Sequence, residues 1–193
     1  MIDTETDIIR RKSGALEALK KLNHFWKSPR TSVKTKVRIF NALVGSIFLY
    51  NSYLWSMNST RDGQIDAFQR RLLRYAINIK WPKKISNDAL YSMTKQVSWS
   101  KVIAYRRLTW FGHMIRLPDG TPVKRALREA EIPVKMPRGR PKTTWMAGMR
   151  KQLKNDLGME WEEAKLIAMD RDMWWCRISK IRPQWAEVPG MRR

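Results

Sequence analysis

The chain has 193 residues, and its 39 Lys and Arg against 17 Asp and Glu give a formal charge of +22 and a pI near 10.7. Charge of this size repels itself in a compact state, so it points to a phosphate-rich partner whose affinity falls steeply with salt, the plain alternative being a solvated surface. With 43% hydrophobic residues and ten Trp, the composition excludes wholesale disorder; a single cysteine, Cys176, excludes an intrachain disulfide and a Cys-rich zinc knuckle, and fits a reducing compartment.

The length suits one large or two small domains, and little of the period-two alternation of strands occurs, so an all-α fold is expected. Ile8, Ala15, Leu19 and Leu22 recur at helical spacing in a first helix, Asp7 to Trp26, stopped by Lys27-Ser28-Pro29. Ser32 can cap a second helix to about Met57 through Val33, Val37, Phe40, Val44, Ile47 and Leu54, and the short turn between the two predicts antiparallel packing. The apolar run 42–55 inside it is shorter than the roughly 20 residues of a membrane span, contains Asn51 and follows Lys34, Lys36 and Arg38, so no membrane partner is expected. The start, Met1 to Glu5, lacks the basic and apolar regions of a signal peptide.

Thr60 or Asp62 opens a third helix with Ile65, Phe68, Leu72, Tyr75 and Ile79 in one stripe, and Trp81-Pro82 ends it. Ser86-Asn87-Asp88 starts a short fourth helix. Ser98 caps a fifth, Trp99 to about Leu117, with Trp99, Ile103, Trp110, Met114 and Leu117 inward, closed by Pro118-Asp119-Gly120. After a short helix from Pro122 to Arg128, the segment Glu129 to Pro141 has three prolines, a glycine and no clear period, and reads as a connector. Thr143 or Thr144 caps a helix to about Leu157, Gly158 ends it, and Glu160 to Ile181 forms a last long helix, giving a C-terminal αα-hairpin before a frayed tail.

Residues 61–128 hold 15 basic and 4 acidic residues, against 10 and 4 in residues 1–60 and 14 and 9 in residues 129–193, so the middle is the most basic part. Arg70, Arg71 and Arg74 share a helical sector and are followed by Lys80, Lys83 and Lys84; they can meet successive phosphates or form a solvated face. Arg106 and Arg107 stand beside Trp110, Phe111 and His113. Such interleaving suits phosphate contact plus base stacking, while the simpler reading makes the aromatics core and the arginines exposed. His113 is a candidate proton donor or phosphate contact, or a packed core histidine. Lys135 to Lys154 contains seven cations and no acid, among them Arg138, Arg140 and Lys142 in a Gly/Pro ribbon and Arg150 and Lys151 in the next helix. Read alone, Arg138-Gly139-Arg140-Pro141 has two readings: an AT-hook for a narrow A·T minor groove, or a basic connector in a larger assembly.

Catalytic signals are sparse. The close acid pairs are Glu162-Glu163, in the first turn of the last helix where they favour its dipole, and Asp170 with Asp172, expected in surface ion pairs. Neither forms the carboxylate cluster of two-metal phosphoryl transfer, and no Gly-rich phosphate loop, nucleophile elbow or His-based metal motif is present. No catalytic residue, metal ligand or cofactor is expected, and the chain by itself is not expected to be an enzyme.

In order along the chain, Ile8 to Trp26, Ser32-Val33-Lys34-Thr35-Lys36, Leu49-Tyr50 and Trp55 resemble the thumb of LINE-type (non-LTR) retrotransposon reverse transcriptases. Phe68-Gln69-Arg70-Arg71-Leu72-Leu73-Arg74, Trp81-Pro82 with Ile85-Ser86-Asn87, Arg106-Arg107 with Trp110-Phe111-Gly112-His113, Arg138-Gly139-Arg140-Pro141-Lys142-Thr143-Thr144-Trp145, Trp161-Glu162-Glu163-Ala164 and Asp170-Arg171 are similar to successive landmarks of the C-terminal region of such polyproteins. Each motif is weak and the ordered set is specific. Where the family reads Leu-Tyr-Gly and then an acid before the Trp, this chain has Asn51 and Tyr53, and neither the palm's Tyr-x-Asp-Asp motif nor an apurinic-type endonuclease domain occurs in it.

The resemblance implies a thumb-like antiparallel helical bundle over residues 1–80, a basic helical extension over 81–128, a Pro/Arg connector over 129–142, the αα-hairpin over 143–182 and a tail over 183–193. It implies a non-catalytic grip on RNA, DNA or an RNA–DNA hybrid, alongside a palm and fingers region that would hold Mg²⁺ in the intact RNA-directed DNA polymerase. An intracellular location follows, in the nucleus or a cytoplasmic ribonucleoprotein. The alternative is a standalone DNA-binding or architectural protein that uses the AT-hook-like tract.

Overall fold

The computed structural model describes residues 3–132 and 143–183. The fold is all-α, with no strand among the described residues. Of these residues, 3–52 and 59–102 form one compact unit, and 53–58, 103–132 and 143–183 form a second. Residues 81–128 are therefore divided between the units after residue 102.

In the first unit, α1 (Thr4–Lys21) starts at Asp3, whose carboxylate accepts from Glu5 N–H at 3.1 Å, and carries acids in its first turn and lysines in its last, as the helix dipole favours. It stops five residues before the expected Trp26. Leu19 O accepts from the buried Trp26 indole N–H at 2.8 Å and from Leu22 N–H, so the helix ladder breaks and restarts as α2 (Asn23–Lys27). Ser32 does cap α3 (Val33–Phe40), accepting from Thr35 N–H at 3.1 Å.

The expected continuation to Met57 is interrupted by a π-helical turn, Asn41–Gly45, and α4 (Ser46–Phe48) is only a short remnant. Ser46 Oγ donates to Ala42 O at 2.6 Å within this stretch, and such back-bonding bends helices. The chain then reverses through Asn51 at φ 54° into a 3₁₀ turn, Ser52–Leu54.

The helix α5 (Ser59–Ala76) ends before Trp81-Pro82 because Asn78 takes φ 59° and two bonds close the end, Asn78 N–H to Tyr75 O and Ile79 N–H to Arg74 O at 2.9 Å. Of its expected stripe, Ile65 and Leu72 are buried, Phe68 is half-buried and Tyr75 is 42% exposed. Ser86 caps α6 (Asn87–Thr94).

The start of α7 (Trp99–Arg116) is held by side chains from α5 and not by the expected Ser98 cap, since the Ser98 hydroxyl meets Ser100 Oγ at 3.0 Å. Buried Gln69 Oε1 accepts from Trp99 N–H at 2.8 Å, and Asp66 accepts from Ser100 N–H at 2.9 Å, so distant residues satisfy orphan helix donors. Trp99 stacks on Phe48 at 4.5 Å with Phe40 at 6.0 Å, forming the aromatic centre of this unit. Burying each such side chain contributes about 1.5–3 kcal/mol.

The second unit contains α7 from Ile103 onward, with Leu108, Phe111, Met114 and Ile115 buried and Trp110 and Leu117 only half-buried. Thr121 caps α8 (Pro122–Glu131), which runs three residues beyond Arg128 into the expected connector because Glu131 is engaged by Trp161 and Lys165. Thr144, rather than Thr143, caps α9 (Trp145–Gln152), accepting from Ala147 N–H at 3.1 Å. A π-helical turn, Leu153–Leu157, follows, and Gly158 at φ 67° closes it.

The expected long last helix is two, α10 (Trp161–Met169) and α11 (Arg171–Ser179). They meet at Asp170, which is extended (φ −85°, ψ 120°) and accepts from Asp172 N–H at 2.8 Å and Met173 N–H at 3.0 Å. Asp170 is thus an N-cap and not the surface ion-pair partner expected of it. The core of this unit gathers Phe111 with Trp161 at 5.1 Å and Trp174 at 5.4 Å.

Candidate nucleic-acid interface

The second half of α5 buries Gln69, Leu72, Leu73 and Ala76, which turns Arg71 into solvent and leaves Arg70 and Arg74 half-buried at the edges. Arg70 lies within reach of the Tyr91 hydroxyl. Burial raises that hydroxyl's pKa, and the Arg70 and Arg74 cations oppose the rise. Arg74 donates from Nη2 to Asn87 Oδ1 at 2.9 Å and Ile85 O at 3.3 Å, so it first fastens the loop before α6. Beyond α5, Lys80, Lys83 and Lys84 are all exposed, and Lys83 N–H donates to Lys80 O at 3.0 Å to close a turn around Trp81 and Pro82. From Asp66 to Asp88 the sequence carries six cations and no other acid. Arg71, Lys80, Lys83 and Lys84 are thus the exposed cations of this acid-poor stretch of the first unit, with Arg70 and Arg74 half-buried.

The cations of α7 differ from expectation. Arg107 is only 3% exposed, donates from Nη2 to Trp145 O at 3.3 Å and lies 5.8 Å from the Trp145 ring centre, so it is part of the core of the second unit and not exposed to phosphates. Packing on several sides of α7 explains this, because Gly148 of α9 leaves the space that the guanidinium fills: a Cβ at Gly148 would stand 3.1 Å from Arg107 Nη2. Arg106 is half-buried, and burial pushes its guanidinium below the usual range. Of the neighbouring aromatics, Phe111 is core, while Trp110 is half-buried between Tyr53 at 4.8 Å and the exposed His113 at 5.2 Å. His113 is therefore on the surface, not in the core.

Arg150 and Lys151 are exposed on α9, with the Arg150 guanidinium 5.4 Å from the Trp161 ring. Arg138, Arg140 and Lys142 lie outside the described residues, as does most of the connector and the tail from residue 184. An open groove of about 340 Å³ in the second unit is lined by Leu127, Leu166 and Met169 with acids and bases together, including Glu131 and Lys165 at 3.1 Å, so its charges answer each other.

Among the described residues no three His, Cys, Asp or Glu side chains gather in a way that could hold a metal ion, and no helix is long and apolar enough to cross a membrane. Trp81 has a setting that its residue type does not announce. As part of Trp81-Pro82 it is a helix terminator and a landmark of the resemblance, yet it is 84% exposed; the available signal is its place between Lys80 and the Lys83-Lys84 pair in a proline turn. No protein-family model matches the chain, and neither a curated protein nor a solved structure matches it.

Proposed function

We propose that this chain is a non-catalytic nucleic-acid-binding segment with the role of the thumb and C-terminal extension of a LINE-type reverse transcriptase, gripping template–primer duplex, element RNA or target DNA. In that role polymerase chemistry and its Mg²⁺ belong to a palm and fingers region, and this chain contributes grip. The observation that carries the proposal is the cation surplus: pairing every carboxylate with a base still leaves +22, and Arg71, Lys80, Lys83 and Lys84 hold part of it in solvent. A second feature supports the resemblance. Asn51 stands where the family carries Gly, and its φ of 54° is a conformation that Gly adopts freely and Asn tolerates.

Fluorescence anisotropy with an RNA–DNA hybrid, a hairpin RNA and an A·T-rich DNA duplex tests the proposal. All three should bind with little sequence preference, hybrid and hairpin at least as well as duplex, and affinity should fall on the order of 100-fold between about 50 and 200 mM salt. Salt-insensitive binding would overturn it. A strong A·T preference abolished by Arg140→Ala would favour the AT-hook reading instead, and primer extension by this chain alone with Mg²⁺ or Mn²⁺ would make it an enzyme.

A further inference from the structure

We propose that Trp81, at the tip of a lysine-flanked turn, is a stacking platform for an unpaired nucleobase, so that residues 80–84 bind single-stranded nucleic acid. The inference rests on the nucleic-acid reading above and adds to it the state of the strand.

Trp is among the more buried residue types on average, and this molecule follows the rule elsewhere. Trp26, Trp55, Trp99, Trp161 and Trp174 are each 7% exposed or less, and Trp175, the next most exposed described Trp, stands at 41% with its ring 6.4 Å from Tyr105. Trp81 at 84% offers nearly its whole ring to solvent.

The turn that presents it is anchored on both sides. Upstream, Ile79 N–H donates to Arg74 O at 2.9 Å; within it, Lys83 N–H donates to Lys80 O at 3.0 Å; downstream, Arg74 Nη2 holds Ile85 O and Asn87 Oδ1. The same arginine side chain and backbone thus brace both ends of the loop. A backbone held this way gives up less freedom when a ligand covers the ring it carries.

The chemistry around the ring selects the ligand. Lys80, Lys83 and Lys84 are exposed point charges, which accept phosphates in many geometries. An indole face stacks on any base, but in a duplex both faces of each base are already covered by neighbours, so an aromatic platform favours a strand with free bases. Trp with Lys also suits a lipid interface. That mode needs a broad apolar face, and the neighbours here are Pro82 and three lysines, which leaves a single ring among charges.

The test compares oligo(U), oligo(dU) and an abasic strand, each of about 12 nucleotides, with a duplex of the same length and anionic phosphatidylserine vesicles. The wild-type chain should hold both base-bearing strands tighter than the abasic strand, and a preference between the two assigns the site to RNA or DNA. Trp81→Ala should lower affinity for the base-bearing strands about 5- to 100-fold while leaving the abasic strand, the duplex, the salt slope and the melting temperature unchanged. Trp81→Phe should recover part of the loss. A Lys83→Ala, Lys84→Ala double variant should weaken every strand and lessen the salt slope by about two.

The inference is overturned if Trp81→Ala weakens all nucleic acids equally or none, if it lowers the melting temperature, or if vesicle binding is what it removes. Wild-type binding of base-bearing and abasic strands with equal affinity would also overturn it, yet leave the grip on polyanions standing. Failure of the wild type to bind any strand or duplex would sink the broader function as well.

Discussion

Arg70-Arg71 in α5 and Arg106-Arg107 in α7 are the same dipeptide in helices of 18 residues each, and each is followed by a buried leucine, Leu72 and Leu108. In α5 the buried positions Ile65, Gln69, Leu72, Leu73 and Ala76 leave Arg71 in solvent. In α7 the buried set Tyr105, Leu108, Phe111, Met114 and Ile115 is joined by Arg107 itself, at 3% exposure. The difference teaches that a charge on a helix reports a solvated face only when the helix has one. How many sides are covered is decided by the rest of the fold.

The largest effect that can break this comparison is the stability of Arg107→Ala. Removing a buried side chain that donates to Trp145 O and lies over its ring should cost about 2–4 kcal/mol in urea denaturation, through lost packing and a lost charge-assisted hydrogen bond. Arg107→Lys should recover little of it, because an ammonium lacks the planar fork. Arg71→Ala should change stability by less than about 0.5 kcal/mol and instead reduce the salt slope of nucleic-acid binding by about one. An Arg107→Ala chain as stable as wild type would show both pairs to be surface cations.

A glycine from each helix sharpens the contrast with smaller effects of opposite sign. In α5, a Cβ on Gly63 meets nothing within 4 Å, so Gly63→Ala should gain up to about 1 kcal/mol from helix propensity. In α7, a Cβ on Gly112 would stand 2.3 Å from Trp174 Cδ1 and Nε1, and that ring is 2% exposed and tied to Leu108 O at 3.0 Å. Gly112→Ala should therefore lose about 1–3 kcal/mol despite the same propensity gain. Melting temperatures moving in the same direction would mean α7 is not enclosed as described.

Helix content and several starts were legible because they rest on local chemistry: Ser32, Ser86 and Thr144 cap as their positions predict. The breaks were less so. The interruption at Leu22 depends on a Trp26 indole taking a carbonyl, and the cap of α7 on Gln69 and Asp66, some thirty residues upstream. Asp170 is not legible because a residue that caps one helix while ending another looks, on a continuous helix wheel, like half of an acid pair. In the candidate interface, the exposed cations of α5 and its following loop were visible in the charge run. The burial of Arg107 and the exposure of Trp81 were not, since both depend on what packs nearby rather than on residue type.

A further small effect concerns an ion pair that the fold retains. Burial by itself would raise the Glu131 carboxyl, but hydrogen bonds from Trp161 Nε1 at 2.8 Å and from Lys165 at 3.1 Å, with the charges of Lys165 and Arg150, hold it below the ordinary carboxylate range. A pKa lowered in the folded state makes the ionised form stabilising: the contribution is complete above the unfolded value of about 4.3 and is lost as pH falls through the lower folded value. Burial likewise lowers Lys165, and its hydrogen bonds and charge contacts with Glu131 and Glu162 outweigh that and raise it, so its share disappears only as pH climbs through the raised value. Glu131→Gln keeps an acceptor for Trp161 and removes the charge. It should cost no more than about 1 kcal/mol near neutral pH, since the pair is partly exposed, and its melting curve should converge on the wild type in acid, where Glu131 is protonated too. A gap that persists in acid would mean that Glu131 acts through shape. For Arg71→Ala no such convergence is expected, because that cation is offered to solvent and the fold gains little by holding it.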